Sequence, residues 1–465
     1  MDADRECYQT NTQVYTPQKL TEKQRNTGQS LYKIFSTCNG VSFAFLSDSI
    51  VILYALKIGI ATWVVASTSS FIFLTLPFML LGRHLAGRHG TARTIFHAWV
   101  SRNCFALGLI PVPWLAHNIS IEAATVVLMI SAFGFWSSRS VGMVVLYPII
   151  GEITTKEDRG RFNSMNFTCF CTSYLLTTLL VIWLFHATDA PLWVFQAMIC
   201  AGFVVGIMAA VNAGKIPETD AARRMATYPL KMHATMIVKS PVIRRITFAW
   251  IACSSAGALI GPFSMLALKK GYHTPDSQAM LYAVTLAFGS LLGSLAVGRS
   301  SGRTEPRNLI VIFFCGFFIP VILWIAAPPS LAPLYCLLIF AVIGICGTGA
   351  ELALTHYFLN AAPENHRLGL SMMVLSTVGL LAGLSGSVLG AGILKALSGT
   401  ADPLLLYKHY FIAILVILSI GFLAIARLEK LNITHAGKYI GIFLTTLTFG
   451  FLFPRRPDDE STDND

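Results

Sequence analysis

The chain carries 34 lysine and arginine and 23 aspartate and glutamate residues, yet only Asp48, Arg102, Arg139 and Glu351 fall well inside long apolar stretches. A charge placed there costs at least a few kcal/mol if it faces hydrocarbon, so each is expected to face a cavity or a partner. Asp48 and Arg139 are opposite in sign. At 1.5 Å per residue Asp48 lies about 22 Å beyond Lys33 and Arg139 about 18 Å before Gly151, which places them at similar depth. Two readings of an Asp48–Arg139 ion pair are open: a working site, or a permanent strut between two helices. The planar fork of Arg139 also suits a carboxylate or phosphate. Glu351 has His356 five residues further on, and a carboxylate that is costly to ionise can load and release a proton near neutral pH. The alternative is a Glu351 held by serine or backbone partners. Arg102 is near enough to the end of its stretch to reach the interface along its own side chain.

Elements of one kind must position these residues. The composition is 54% hydrophobic and 12% charged, with a mean hydropathy of +0.64, far from the roughly one quarter charged residues of soluble domains. Apolar stretches predict an all-α membrane protein with transmembrane helices near 32–57, 60–82, 94–115, 121–150, 163–186 and 190–213. A second set follows near 244–269, 277–298, 307–328, 331–360, 368–397 and 405–427. Asp48 is then on the first helix, Arg139 on the fourth and Glu351 on the tenth. Asn39, Trp136 and Ser254 add polar or aromatic surface on the first, fourth and seventh. Gly289 with Gly293, Gly379 with Gly383 and Gly386 with Gly390 are spaced for close backbone approach.

Sidedness follows from the cations. Lys57, Lys269, Lys270, Lys395 and Lys408 fall in loops of one side, and most of the others gather on the side that holds both termini and the central loop. Both termini are therefore expected in the cytoplasm, with the chain in a plasma membrane or a bacterial inner membrane. The polar N-terminal segment 1–31 has no apolar core of a signal peptide. The domains read as 32–213 and 244–427, two six-helix bundles, joined by a basic linker at 214–243. The C-terminal segment 428–465 holds an apolar run at 439–453, read as an interfacial helix with a thirteenth span as the alternative, and an acidic tail.

The two bundles look related. Ala55-Leu56-Lys57-Ile58-Gly59 returns as Ala267-Leu268-Lys269-Lys270-Gly271. Gly90 pairs with Gly302, and Arg159 with Arg367, all at an offset of about 210 residues, the mark of an internal duplication. Leu85-Ala86-Gly87-Arg88-His89-Gly90, followed by Arg93, resembles the loop signature of the major facilitator superfamily after its second helix. Glu152 with Arg159-Gly160-Arg161 is similar to that superfamily's loop after helix 4, which is prominent in its sugar-porter branch. The resemblance implies two six-helix pseudo-repeats around a central cavity lined by helices 1, 4, 7 and 10. It also implies secondary transport of a small solute, an organic anion or a sugar, by alternating access, with protons as a candidate coupling ion. Arg88, Gly90, Arg93, Glu152, Arg159 and Arg161 then read as a cytoplasmic gate. Gly87 stands where the superfamily has aspartate, so that charge relay is not expected.

Other classes find little support. Scattered cysteines show no metal-ligand spacing, so no metal or other cofactor is expected. No HExxH, GxSxG or Walker sequence is present, which argues against an enzyme. The net charge of +11 lies in loop clusters rather than on one face, so it reports topology and not nucleic acid. Expected partners are a small-molecule solute and membrane lipids, with the chain acting as a monomer. A transporter-like receptor or a lipid flippase without ion coupling is the alternative.

Overall fold

A computed structural model describes residues 20–155, 159–219, 230–300, 305–361, 367–399 and 402–428. Among these residues twelve helices are long and apolar enough to cross a membrane. They are α1 (Glu22–Ile58), α2 (Thr62–His89), α3 (Thr91–Asn118), α4 (Ile121–Ile153), α5 (Thr168–Thr188) and α6 (Leu192–Gly214). After the linker come α7 (Pro241–Gly271), α8 (Asp276–Gly298), α9 (Pro306–Ile325), α10 (Pro333–Phe358), α11 (Gly369–Leu397) and α12 (Pro403–Ala426). The apolar run at 439–453 lies outside the described residues.

Boundaries differ from the sequence reading where local chemistry overrides hydropathy. α1 begins ten residues early, because Thr21 and Gln24 form a reciprocal capping box at its start, satisfying donors that a polar segment would otherwise leave to water. α1 is also broken: Leu46 leaves helical geometry and Ser47 is extended (φ −65°, ψ 157°) before a second helical piece starts at Asp48. A Ser-Asp pair competes with the helix backbone through its own oxygens, which favours such a restart. The linker is not wholly extended, since Leu230–Lys239 is helical and its buried His233 sits against Gly369 at the start of α11.

In the first half α1 packs on α5 and α6, and α3 on α4 and α6; in the second, α10 packs on α7, α8 and α9, and α7 also on α11 and α12. The halves meet along α2 with α11 and α5 with α8. The face opposite the linker is the far face. Toward the far face α2 and α11 approach so closely that a β-carbon on Gly383 would lie 2.4 Å from the Leu74 backbone, and one on Gly386 2.1 Å from the Ser70 hydroxyl. The serine and glycine spacing of α11 is thus spent on contact between halves.

Candidate functional site

The first half encloses three of the four intramembrane charges. Arg139 lies one turn after Trp136 on α4, and its guanidinium carbon is 5.2 Å from the Trp136 ring and 5.9 Å from the Phe43 ring of α1. Phe43 in turn stands 6.1 Å from Trp136, 6.1 Å from Phe170 and 6.0 Å from Tyr174, the last two on α5. Two rings from two helices therefore flank the cation, and two more from α5 join them through Phe43. Trp136 is buried, but Arg139, Phe43, Phe170 and Tyr174 all keep part of their surface accessible.

The anticipated Asp48–Arg139 ion pair is absent. Among the described residues neither side chain has an ion-pair partner within 4.0 Å. The reason is local: Trp136, on the same face of α4 as Arg139, takes the guanidinium as a cation–π partner. Asp48 instead opens the second piece of α1 with Ser69 of α2 facing its carboxylate. Beside it is a small cavity of about 20 Å³, lined also by Thr68, Phe135 and Trp136, enough for about one water.

Arg102 does not reach for the interface. It is fully buried, donates to Asn39 Oδ1 (2.9 Å) and Ser42 Oγ (3.2 Å) of α1, and lies over Trp99 and Phe135 at 5.3 and 5.0 Å. Asn39 also accepts from Trp99 Nε1 at 3.0 Å. Asn39 is thereby the anchor of α3 on α1. No carboxylate stands within 4.0 Å of Arg102 among the described residues, so its charge is met by neutral oxygens and ring faces alone.

The second half holds a single intramembrane charge, Glu351. It accepts from Trp250 Nε1 of α7 at 2.8 Å, so its partner is neither serine nor backbone. Cys253, one turn on, also faces it. The Glu351 side chain is exposed about 15 Å from the end of its helix at Ala361. Gly347, one turn away on the same face, has nothing within 4 Å of where a β-carbon would stand, so this face of α10 looks onto open space. Ser254 is partly accessible one turn from Trp250. His356 is exposed, but five residues at 100° each carry it about 140° around α10 from Glu351.

At the linker face two of the anticipated gate residues, Gly90 and Glu152, meet the linker. Gly90 has φ +89°, ψ 171° and meets Glu218 of the linker. Glu218 caps α3, accepting from Thr91 Oγ1 (2.7 Å) and Ala92 N (2.8 Å), while Glu152 accepts from Thr219 N at 2.7 Å. A side chain at position 90 would be both strained and obstructed. Arg88 and Arg93 are exposed. Arg159 and Arg161 belong to the helix that leads into α5, and their side chains lie outside the described set.

The far face carries polar contacts the sequence reading did not place. Lys57 and Lys269, the lysines of the repeated Ala-Leu-Lys, both reach Asp276 at the start of α8. Lys57 does so across the two halves at 3.8 Å, and Lys269 within its own half at 2.5 Å. Lys57 also donates to the carbonyls of Asp189 and Ala190, both left-handed at φ 54° and 49°.

Comparison with known proteins agrees with this arrangement. Residues 40–387 match the Major Facilitator Superfamily. The fold is similar to that of the nucleoside transporter NupG (13% identity, TM-score 0.63, covering 87% of this chain and 100% of that one). It is similar also to a POT family transporter in complex with 5-aminolevulinic acid (12%, 0.62, 87% and 97%) and to a D-xylose-proton symporter (13%, 0.56, 84% and 97%). No curated protein matches the sequence.

Proposed function

Because the chain belongs to the Major Facilitator Superfamily, we propose that it is a secondary active transporter that moves a small organic solute between its two halves and couples this to protons through Glu351. The observation that carries the coupling is the environment of Glu351: an accessible carboxylate deep in the bundle, held by one neutral donor, with no cation within 4.0 Å among the described residues. Such a group exchanges its proton with water that enters from one side, and loses that access when the halves rock. The chemistry is transport and not catalysis; the two halves of one chain supply the whole path, so a monomer suffices.

The linker face is assigned to the cytoplasm on the lysine and arginine bias. The close packing of α2 on α11 and the Asp276 contacts then belong to a state shut toward the outside, and alternating access requires them to part. The transport reading is tested in proteoliposomes holding the purified full chain, with labelled benzoate, lactate, uridine and D-xylose as probes. At least one is expected to accumulate when the exterior is made acidic. Glu351→Gln should abolish that accumulation while leaving exchange of the same probe at equilibrium. Uptake by the unaltered protein that ignores the pH gradient would remove protons from the mechanism.

A further inference from the structure

We propose that the solute is a small organic anion bearing a flat aromatic or heteroaromatic ring, bound at Arg139; this rests on the transport function proposed above and names its substrate class. The first support is charge. Arg139 makes no hydrogen bond and no ion pair among the described residues, although a guanidinium has five N–H donors. Asp48, the one intramembrane carboxylate of its half, is not within 4.0 Å, and the second guanidinium of that half, Arg102, is likewise without a carboxylate. Arg102 is fully buried and already bonded to Asn39 and Ser42, so it adds fixed positive charge without offering a binding surface. Arg139 alone is accessible. A charge removed from water is expensive unless paired, and a carboxylate on the solute would complete the fork with two parallel bonds.

The second support is the wall. Phe43, Phe170 and Tyr174 are each partly accessible and are held in one cluster with Trp136 by ring contacts of 6.0 to 6.3 Å. Phe43 and Trp136 touch the Arg139 guanidinium and Phe170 and Tyr174 join them through Phe43, so the accessible surface of this cluster offers another flat ring a place to stack. An aliphatic anion would satisfy Arg139 and leave those faces in water. A neutral sugar or nucleoside would cover the rings and leave the guanidinium without counter-charge.

The experiment measures equilibrium binding and counterflow of labelled benzoate, lactate, D-xylose and uridine with the full chain in proteoliposomes. Benzoate is expected to bind and exchange, lactate to bind about tenfold more weakly, and the two neutral probes not to compete. Arg139→Gln should weaken benzoate by about tenfold to a hundredfold, the range for a charged hydrogen bond. Phe43→Leu should bring the benzoate and lactate affinities together. If Arg139→Gln does not fold, Arg139→Lys, which keeps the charge and loses the planar fork, should still weaken benzoate. Exchange of uridine or xylose with benzoate inert would overturn the substrate class and leave transport standing. Equal benzoate affinity in the Arg139 variants, or lactate equal to benzoate in the unaltered protein, would also overturn it. Absence of binding and exchange for every probe would remove the transport reading as well.

Discussion

The two six-helix halves have interiors of opposite character. The first holds two guanidiniums and one carboxylate among aromatic rings, with Arg102 locked to Asn39 and Ser42 and Arg139 left to ring faces. The second holds one carboxylate, bonded to one indole. Two similar halves therefore need not carry the same chemistry: on the proposed function the first receives negative charge and the second carries a proton. The repeat persists where it is mechanical. Lys57 and Lys269 both end on Asp276, yet α1 closes with Gly59 at φ +95° whereas α7 ends in a π-turn over Ala267–Gly271.

Four substitutions probe this contrast further. The largest effect is expected from Arg102→Ala, which empties a fully buried site and removes two hydrogen bonds to α1. It should cost about 2 to 4 kcal/mol of stability, read as a lowered unfolding temperature of the purified protein. A variant as stable as the parent would show that Arg102 is not the strut of the first half. A middle effect is expected from the two indoles. Trp250→Phe removes the hydrogen bond held by Glu351 and should slow proton-driven uptake by roughly tenfold. Trp99→Phe leaves Asn39 still bonded by Arg102, so its uptake should fall less; the reverse order would break the division of labour between halves. The smallest is Asp276→Asn. Asp276 and its two lysines keep part of their surface accessible, and an ion pair there contributes about 0 to 1 kcal/mol, so freeing both lysines should raise access to the far face by about fivefold at that energy. Labelling of a cysteine placed in the loop after α1 would measure it.

Much of this was legible in the residues. The twelve spans, the two halves and the four rare charges followed from hydropathy and from the cost of a charge in hydrocarbon. The early start of α1 is also legible, in the Thr21–Gln24 capping box, although the segment it opens is polar. The partners of the charges were not. Spacing put Asp48 and Arg139 at one depth, but depth says nothing of direction around a helix axis, and Trp136 lies on the same face as Arg139. Phe43, Phe170 and Tyr174 carried no signal, since in a chain with 31 phenylalanines any ring reads as packing until three helices bring particular rings together.

By itself the sequence determined what is set by solvent: which segments leave water, which side the cations favour, and which side chains are too costly to face lipid. These follow from transfer free energies that act residue by residue. Only the tertiary structure decided what those side chains touch: that Arg102 bonds to Asn39 and Ser42, that Arg139 lies against the rings of Trp136 and Phe43, that Glu351 rests on Trp250, and that Glu218 caps α3. Such pairings depend on how helices distant in sequence rotate against one another, and that rotation is settled by the packing of all twelve together.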